Sequence, residues 1–336
     1  MTRPARFCAA VVSALAVAGV LTGCSSDGDA LVVYSAQHES LVRTMLADFT
    51  DETGIALEFR DANDSELANQ IVQEGKASPA DVFLTENSPA MDVVDRAGLL
   101  APLDRKTLDQ VGEAYRPSSG HWVGFAARST VLAYNPAEIG EKKLPASILD
   151  LADPAWKGRV GIAPGGADFQ AIVSAVLSLE GEDATREWLT GLQKNAEVYA
   201  SNTAVMKAVD EAEVPVGVMY HYYWYRDQAE HGLVGDDARL HFFGNQDPGA
   251  FVSVSGAGVL ASSDHAKDAQ RLVAYLAARE AQQKLASSDA LEYAVGTGVD
   301  SAKALPPLAG LDAPKVDPGT LSSPQVTALM QEVGLL

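Results

Sequence analysis

Cysteine is almost absent: the chain of 336 residues has two, Cys8 and Cys24, both within the first 24 positions. The body of the protein therefore has no disulfide framework and no thiolate metal site. Basic residues are also short, 25 Lys and Arg against 45 Asp and Glu, for a formal charge of −20. An acidic surface repels phosphate backbones, so no nucleic-acid partner is expected. After the N-terminus, no run approaches the roughly 20 consecutive apolar residues that cross a bilayer. The sequence carries no Gly-x-Ser-x-Gly elbow and no His-Glu-x-x-His helix, which leaves an extracytoplasmic hydrolase without its usual signatures. What remains is ordinary globular composition, 47% hydrophobic and 21% charged, and a length that suggests two domains.

The first two dozen residues read as a separate object. Arg3 and Arg6 precede an apolar run, Phe7–Leu21, and then Leu21-Thr22-Gly23-Cys24-Ser25-Ser26. A basic opening, a short apolar stretch and small residues at the break mark a secretory signal. The Leu-Thr-Gly-Cys ending resembles a bacterial lipobox. That resemblance implies removal of 1–23, lipidation of Cys24, a linker over 24–29, and a protein held outside the cytoplasm by lipid. Cys8 would leave with the signal, so any metal site would use oxygen and imidazole. The alternative is a fortuitous Cys beside an ordinary cleavage site.

Strands and helices then alternate. Ala30–Ser35, Ile55–Arg60 and Asp81–Thr85 read as strands, separated by helical stripes over Glu39–Thr53 and Ser65–Glu74 and followed by Ser88–Ala97. This is a parallel α/β pattern. A second series follows: strands at Arg128–Tyr134, Val160–Ala163 and Val214–Tyr220, helices near Phe169–Leu179 and Thr185–Lys194, and an extended Phe251–Leu260. An amphipathic helix over Lys267–Leu285, an irregular Leu305–Pro318 and a last helix over Ser323–Val333 complete the chain. Two α/β units joined more than once fit a bilobal binding architecture, with a first lobe of 30–130 and 262–336 and a second of 131–261. The crossings are expected at Arg128–Tyr134 and Val254–Ser262. Two independent enzyme domains would give the same pattern.

Three places could carry chemistry. Met219-Tyr220-His221-Tyr222-Tyr223-Trp224-Tyr225 holds four of the chain's ten tyrosines. In a strand, Tyr222 and Tyr223 would face opposite ways, so convergence requires the strand to end and a helix to begin there. An aromatic strand end packed in a core is the bland alternative. His38 follows the first strand and Glu86 the third, both at the carboxyl ends where open α/β sheets bind ligands. Singly, each could be a cap or a solvated loop residue. Together they are the donors a hard trivalent cation prefers, phenolate, carboxylate and imidazole. A phenol ionises near pH ~10, so only a strong Lewis acid deprotonates it at neutral pH. The set suits ferric iron better than Zn²⁺, Ca²⁺ or Mg²⁺, and no calcium loop is present.

The sequence resembles the periplasmic ferric-iron-binding proteins of ABC transporters over essentially the whole chain after the signal. The motifs are LVVYSAQHESLV (31–42), LANQIVQEGKASPADVFLTENSPA (67–90), AVMKAVDEAEVPVGVMYHYYWYR (204–226) and DPGAFVSVSGAGVL (247–260). The resemblance implies a bilobal periplasmic-binding-protein-like fold with Fe³⁺ in the cleft, on His38, Glu86, Tyr222 and Tyr223. It further implies a permease partner and a monomer that is not an enzyme. Such proteins complete the iron's coordination with a synergistic anion (carbonate, phosphate or citrate) or with further tyrosines. Asn202 matches the anion-contacting Asn, Arg128 could add positive charge, and Gly165 and Gly166 could offer backbone N–H groups at a helix start. The phosphate-binding loop Pro-Thr-Ser-Gly-Ala-Phe is here Pro164-Gly165-Gly166-Ala167-Asp168-Phe169, without its serine and with an acid that would repel an anion. An Asn before the tyrosine pair is replaced by Tyr220. The same architecture binding an iron chelate, an organic anion or a polyamine is the second reading.

Overall fold

The computed structural model describes residues 30–231, 238–321 and 323–336. The signal and Cys24 lie outside the described residues. The described strands are β1 (Leu31–Ser35), β2 (Leu57–Asp61), β3 (Val82–Leu84), β4 (Trp122–Tyr134), β5 (Val160–Ile162), β6 (Ala196–Val198), β7 (Val216–Tyr220), β8 (Arg239–His241) and β9 (Val252–Val259). Their spatial order is β2-β1-β3-β9-β4-β7-β5-β6, with β8 beside β4.

The order divides into two α/β halves. In the first, β1 lies parallel between β2 and β3, and β9 runs antiparallel to β3. The period-2 alternation of these strands sends side chains to two cores. Val33, Val82 and Leu84 pack on one face with α1 (Glu39–Met45) and α2 (Phe49–Thr53). Tyr34 and Phe83 face the other side, against α3 (Asp64–Glu74) and α4 (Ser88–Arg96). A short α5 (Arg105–Leu108) follows. In the second half, β5 is parallel to β6 and β7. Val216, Val218 and Tyr220 pack toward α6 (Ala167–Asn195), and Met219 toward α7 (Asn202–Asp210). The helix α8 (His221–His231) begins directly after β7.

β4 belongs to both halves. Trp122–Ser129 pairs with β9, and Thr130–Tyr134 pairs with β7 on into the second lobe. The turning point, Ser129/Thr130, falls within the expected crossing. The second crossing lies earlier than expected: Phe251 packs in the second core while Val254, Ala257 and Val259 pack in the first half. So 254–261 belongs with the first lobe, because β9 pairs with β3 and not with the second sheet.

The C-terminal boundary also changes. α9 (Ala266–Ala277) and α10 (Arg279–Ala286) pack in the first core, but the last helix, α11 (Ser323–Glu332), does not. Val326, Leu329 and Met330 pack with Trp188 and Leu192 of α6 in the second core. The segment between crosses back, with Leu305 and Leu311 in the first core and Val316 and Leu321 at the second. Assignment of all of 262–336 to the first lobe is therefore corrected.

Several expected helices differ in continuity. Glu39–Thr53 breaks into α1 and α2, and Lys267–Leu285 breaks at Ala278, whose ψ is 153°. The two expected helices between 169 and 194 run as one element kinked at Gly181, where φ 82° suits glycine.

Candidate metal centre

Each of the four expected ligands sits just after a strand stops. β1 ends three residues before His38, whose carbonyl accepts from Val42 N–H and opens α1. β3 ends two residues before Glu86. β7 ends at Tyr220 and α8 starts at His221, so the strand-to-helix change needed for two phenols to converge is present. The rings of Tyr222 and Tyr223 lie 4.2 Å apart, tilted by 31°.

The four expected ligands come together across the lobes. His38 Nε2 lies 3.8 Å from Glu86 Oε1. The Tyr222 hydroxyl donates to the same Oε1 at 3.4 Å. The Tyr223 hydroxyl donates instead to Asp168 Oδ2 at 2.9 Å. Tyr222 is buried, while the His38 side chain is 36% exposed and that of Glu86 20%. A cavity of about 560 Å³ reaches His38, Tyr222 and Glu292 from solvent. A larger one, about 1000 Å³, lies away among 105–120, 251–252 and 308–317 and is lined by no histidine. Among the described residues no three His, Cys, Asp or Glu side chains form a metal cluster by themselves.

Asp168 has a different role from the one its sequence position suggests. It occupies the first turn of α6, where the helix dipole favours a carboxylate. Asn202 Nδ2 donates to its Oδ2 at 2.9 Å, and Asn87 Nδ2 to its Oδ1 at 3.0 Å. With Tyr223 it thus accepts three hydrogen bonds. The amide expected on an anion is bound to a protein carboxylate.

Asn87 is the connector. Its Oδ1 accepts from the hydroxyls of Ser253 at 2.9 Å and Tyr220 at 3.2 Å. Its Nδ2 faces Asp168 and Asp64, which are acceptors, so the orientation of the amide is fixed. Tyr220 therefore supports Asn87 and does not point its hydroxyl at an open site. Asp64 accepts the backbone N–H groups of Glu86 and Asn87, both at 2.9 Å, and so sets the turn that presents Glu86. Burial pushes Asp64 up to about 7, against the pull of those N–H donors and Arg128.

The remaining anion contacts expected from sequence are engaged elsewhere or left bare. Arg128 is fully buried. It donates to the Glu86 carbonyl and to Ser255 Oγ, and its Nε faces Glu292 Oε2 at 3.1 Å. Its guanidinium also lies 5.9 Å from the Tyr222 ring centre. Gly166 N–H is taken by the Ala163 carbonyl, and a side chain at Gly165 would extend into open space.

The balance of charge is one-sided. Glu86, Asp168, Asp64 and Glu292 face a single buried guanidinium. Burial, then the Asp168 charge, pushes Glu86 well above the usual carboxylate range, with Arg128 opposing. Burial and the same two acids, Asp168 and Glu86, push Tyr222 and Tyr223 above the ordinary phenol range. Burial opposes charge on Glu292, yet Arg128 and then His38 hold it below the usual value. Such a site is relieved by a cation, and one that ionises phenols must carry high charge. Glu292 was not apparent from the sequence. The available signal was one carboxylate inside an apolar stretch, Ala290-Leu291-Glu292-Tyr293-Ala294-Val295.

Comparison with known proteins agrees with this chemistry. The family model for bacterial extracellular solute-binding proteins matches residues 77–317. The chain is 54% identical to the Fe(3+)-binding periplasmic protein of Serratia marcescens over 312 residues, covering 93% of this chain and 92% of that one. It is 36% identical to the major ferric iron-binding protein of Neisseria meningitidis serogroup B over 322 residues, 95% of this chain and 97% of the relative. The crystal structure of iron-bound HitA from Pseudomonas aeruginosa superposes with a TM-score of 0.84 at 43% identity, covering 91% of this chain and 99% of that one. The chain belongs to the bacterial extracellular solute-binding proteins.

Proposed function

We propose that this protein is the solute-binding component of an ABC importer, that it captures ferric iron between its lobes, and that it delivers the ion to a membrane permease. It is a carrier and not an enzyme. The observation that carries the reading is the pair of neighbouring phenols, Tyr222 buried and Tyr223 partly buried, set against Glu86 and Asp168, with one guanidinium as counter-charge. His38 and Glu86 from the first lobe and Tyr222 and Tyr223 from the second would hold the ion. Ligation from both sides favours the closed arrangement of the lobes, a hinge equilibrium biased by the cargo. Asp168 would supply the negative charge that an added anion supplies elsewhere, already held by Asn87 and Asn202.

The chemistry sets a proton count. Both phenols are pushed above their ordinary value of 10.0, so they enter the reaction protonated at neutral pH. Their ionised forms bind iron and the neutral forms do not. Capture therefore releases two protons, with a further fraction from Glu86. Affinity falls as pH falls, by about 100-fold per pH unit for two protons. Calorimetric titration with ferric nitrilotriacetate in two buffers of different ionisation enthalpy counts the protons, once the uptake by the freed chelator, titrated separately in the same buffers, is added back. Release of fewer than one would refute phenolate ligation.

Cys24 is proposed as the lipid attachment point, which would keep the carrier beside its permease outside the cytoplasm. Among the described residues no helix is long and apolar enough to cross a membrane. Cys24→Ala is expected to move the protein from the membrane fraction into the soluble extracytoplasmic fraction. An unchanged distribution on fractionation would refute the anchor.

A further inference from the structure

A buried ion pair beside an acid-rich site is costly, and it needs a reason. Glu292 and Arg128 are both fully buried, at 1% and 0% exposure, with Arg128 Nε 3.1 Å from Glu292 Oε2. Neither of those two atoms has an aligned hydrogen bond, so the contact is ionic. Replacing such a pair by apolar side chains is often neutral or stabilising, which makes stability a poor explanation for it. The other oxygen of Glu292, Oε1, faces His38 Nδ1 at 3.7 Å. The opposite ring nitrogen, Nε2, faces Glu86 Oε1 at 3.8 Å, on the side of Tyr222. The imidazole is thus held between two carboxylates, with its two nitrogens given different neighbours.

The backbone around Glu292 is clamped. Leu291 takes a left-handed φ of 52°, unfavourable for a branched side chain, and its carbonyl accepts from His221 Nε2 at 2.9 Å. His221 Nδ1 accepts from Ser129 N–H at 3.2 Å, which fixes that tautomer. Tyr293 exchanges two backbone hydrogen bonds with Ala127 on β4, at 2.9 and 3.0 Å. A strained backbone held on both sides by the crossing strand and by the residue before the tyrosine pair marks a position maintained for function.

We propose that Glu292 is a positioning residue for iron capture: it holds the proton on His38 Nδ1, which turns the Nε2 lone pair toward the cation. Carboxylates that accept from the far nitrogen of a metal-binding His fix its tautomer and raise its basicity, and their loss typically costs ~10–100-fold in metal affinity. Arg128, with its Nε 3.1 Å from Oε2, fixes the direction of the carboxylate. The inference rests on the reading of His38 as an iron ligand, and the test separates the two.

The experiment is a double-mutant cycle with Glu292→Gln and His38→Ala, read by competition for ferric iron with nitrilotriacetate. Glu292→Gln alone is expected to weaken binding about 10–100-fold. In the His38→Ala background the same change should have almost no effect, because the group it acts through is gone. A full loss in both backgrounds would overturn the positioning role and leave His38 as a ligand. Wild-type affinity in His38→Ala would overturn the ligand reading and this inference with it. If Glu292→Gln does not fold, the wild-type protein loaded with Ga³⁺ and labelled with ¹⁵N-histidine gives the answer by NMR. A protonated Nδ1 and a metal-bound Nε2 on His38 are expected, and metal on Nδ1 would overturn the proposal.

Discussion

Tyr222→Phe and Tyr223→Phe are each expected to abolish most of the iron affinity while leaving the fold almost unchanged. Phenylalanine preserves both rings and the 4.2 Å contact between them, and removes only the hydroxyl oxygen. The cost to folding is small, because each hydroxyl donates one hydrogen bond, to Glu86 or to Asp168, worth about 0.5–1.5 kcal/mol net. The cost to iron is much larger. Losing one phenolate removes a charged partner from a trivalent ion in a largely desolvated site, on the scale of about 3–5 kcal/mol. That is a factor of roughly 10²–10⁴ in affinity. The visible phenolate-to-iron charge-transfer band of the loaded protein should weaken and shift in each single variant and vanish in the double. Thermal melting before loading separates the two effects. An unchanged band in both single variants would remove the phenols from the site, and with them the case for ferric iron over a divalent ion.

That the tyrosine pair, His38 and Glu86 meet at one place was legible because each lies at a local boundary, where a strand run ends. The strands themselves were legible for a similar reason, since Val33, Tyr34, Val82 and Phe83 alternate between two apolar cores within a few residues. Longer-range features were not. Arg128 reaches Ser255 across 127 positions, and Asn87 reaches Asp168 across 81. No local pattern encodes such pairings. For the same reason α11 was placed with the wrong lobe. Its apolar stripe would fit either core, and contact with Trp188 and Leu192 decides it. Glu292 was hidden for another reason: local composition predicts burial of its neighbours but not the guanidinium that makes its own burial tolerable.

Asp168 is where the sequence reading left most open. An acid at that position does repel an anion, and the sequence left the identity of the anion open. In the fold the carboxylate accepts hydrogen bonds from Asn202, Asn87 and Tyr223, and under the proposed function it stands in for the added anion. Iron retention by the wild-type protein should therefore be the same in anion-free buffer and in buffer with phosphate, carbonate or citrate added at low concentration. Asp168→Ala removes one negative charge and leaves two amide donors, Asn87 Nδ2 and Asn202 Nδ2, without their acceptor beside the start of α6. Helix starts with free donors bind anions. The variant is expected to lose roughly 10²-fold or more in affinity, given the ~3–5 kcal/mol cost of breaking a desolvated charge pair. Added phosphate or carbonate should restore much of that loss and shift the charge-transfer band with the identity of the anion. Asp168→Asn, which fills the same space without charge, should lose affinity yet resist rescue. Rescue is the informative outcome, because a merely structural acid would leave a damaged site that no small anion repairs. If Asp168→Ala holds iron as tightly as the wild type with no anion present, the carboxylate has no part in neutralising the ion, and the charge balance must come from Glu86 and the two phenolates alone.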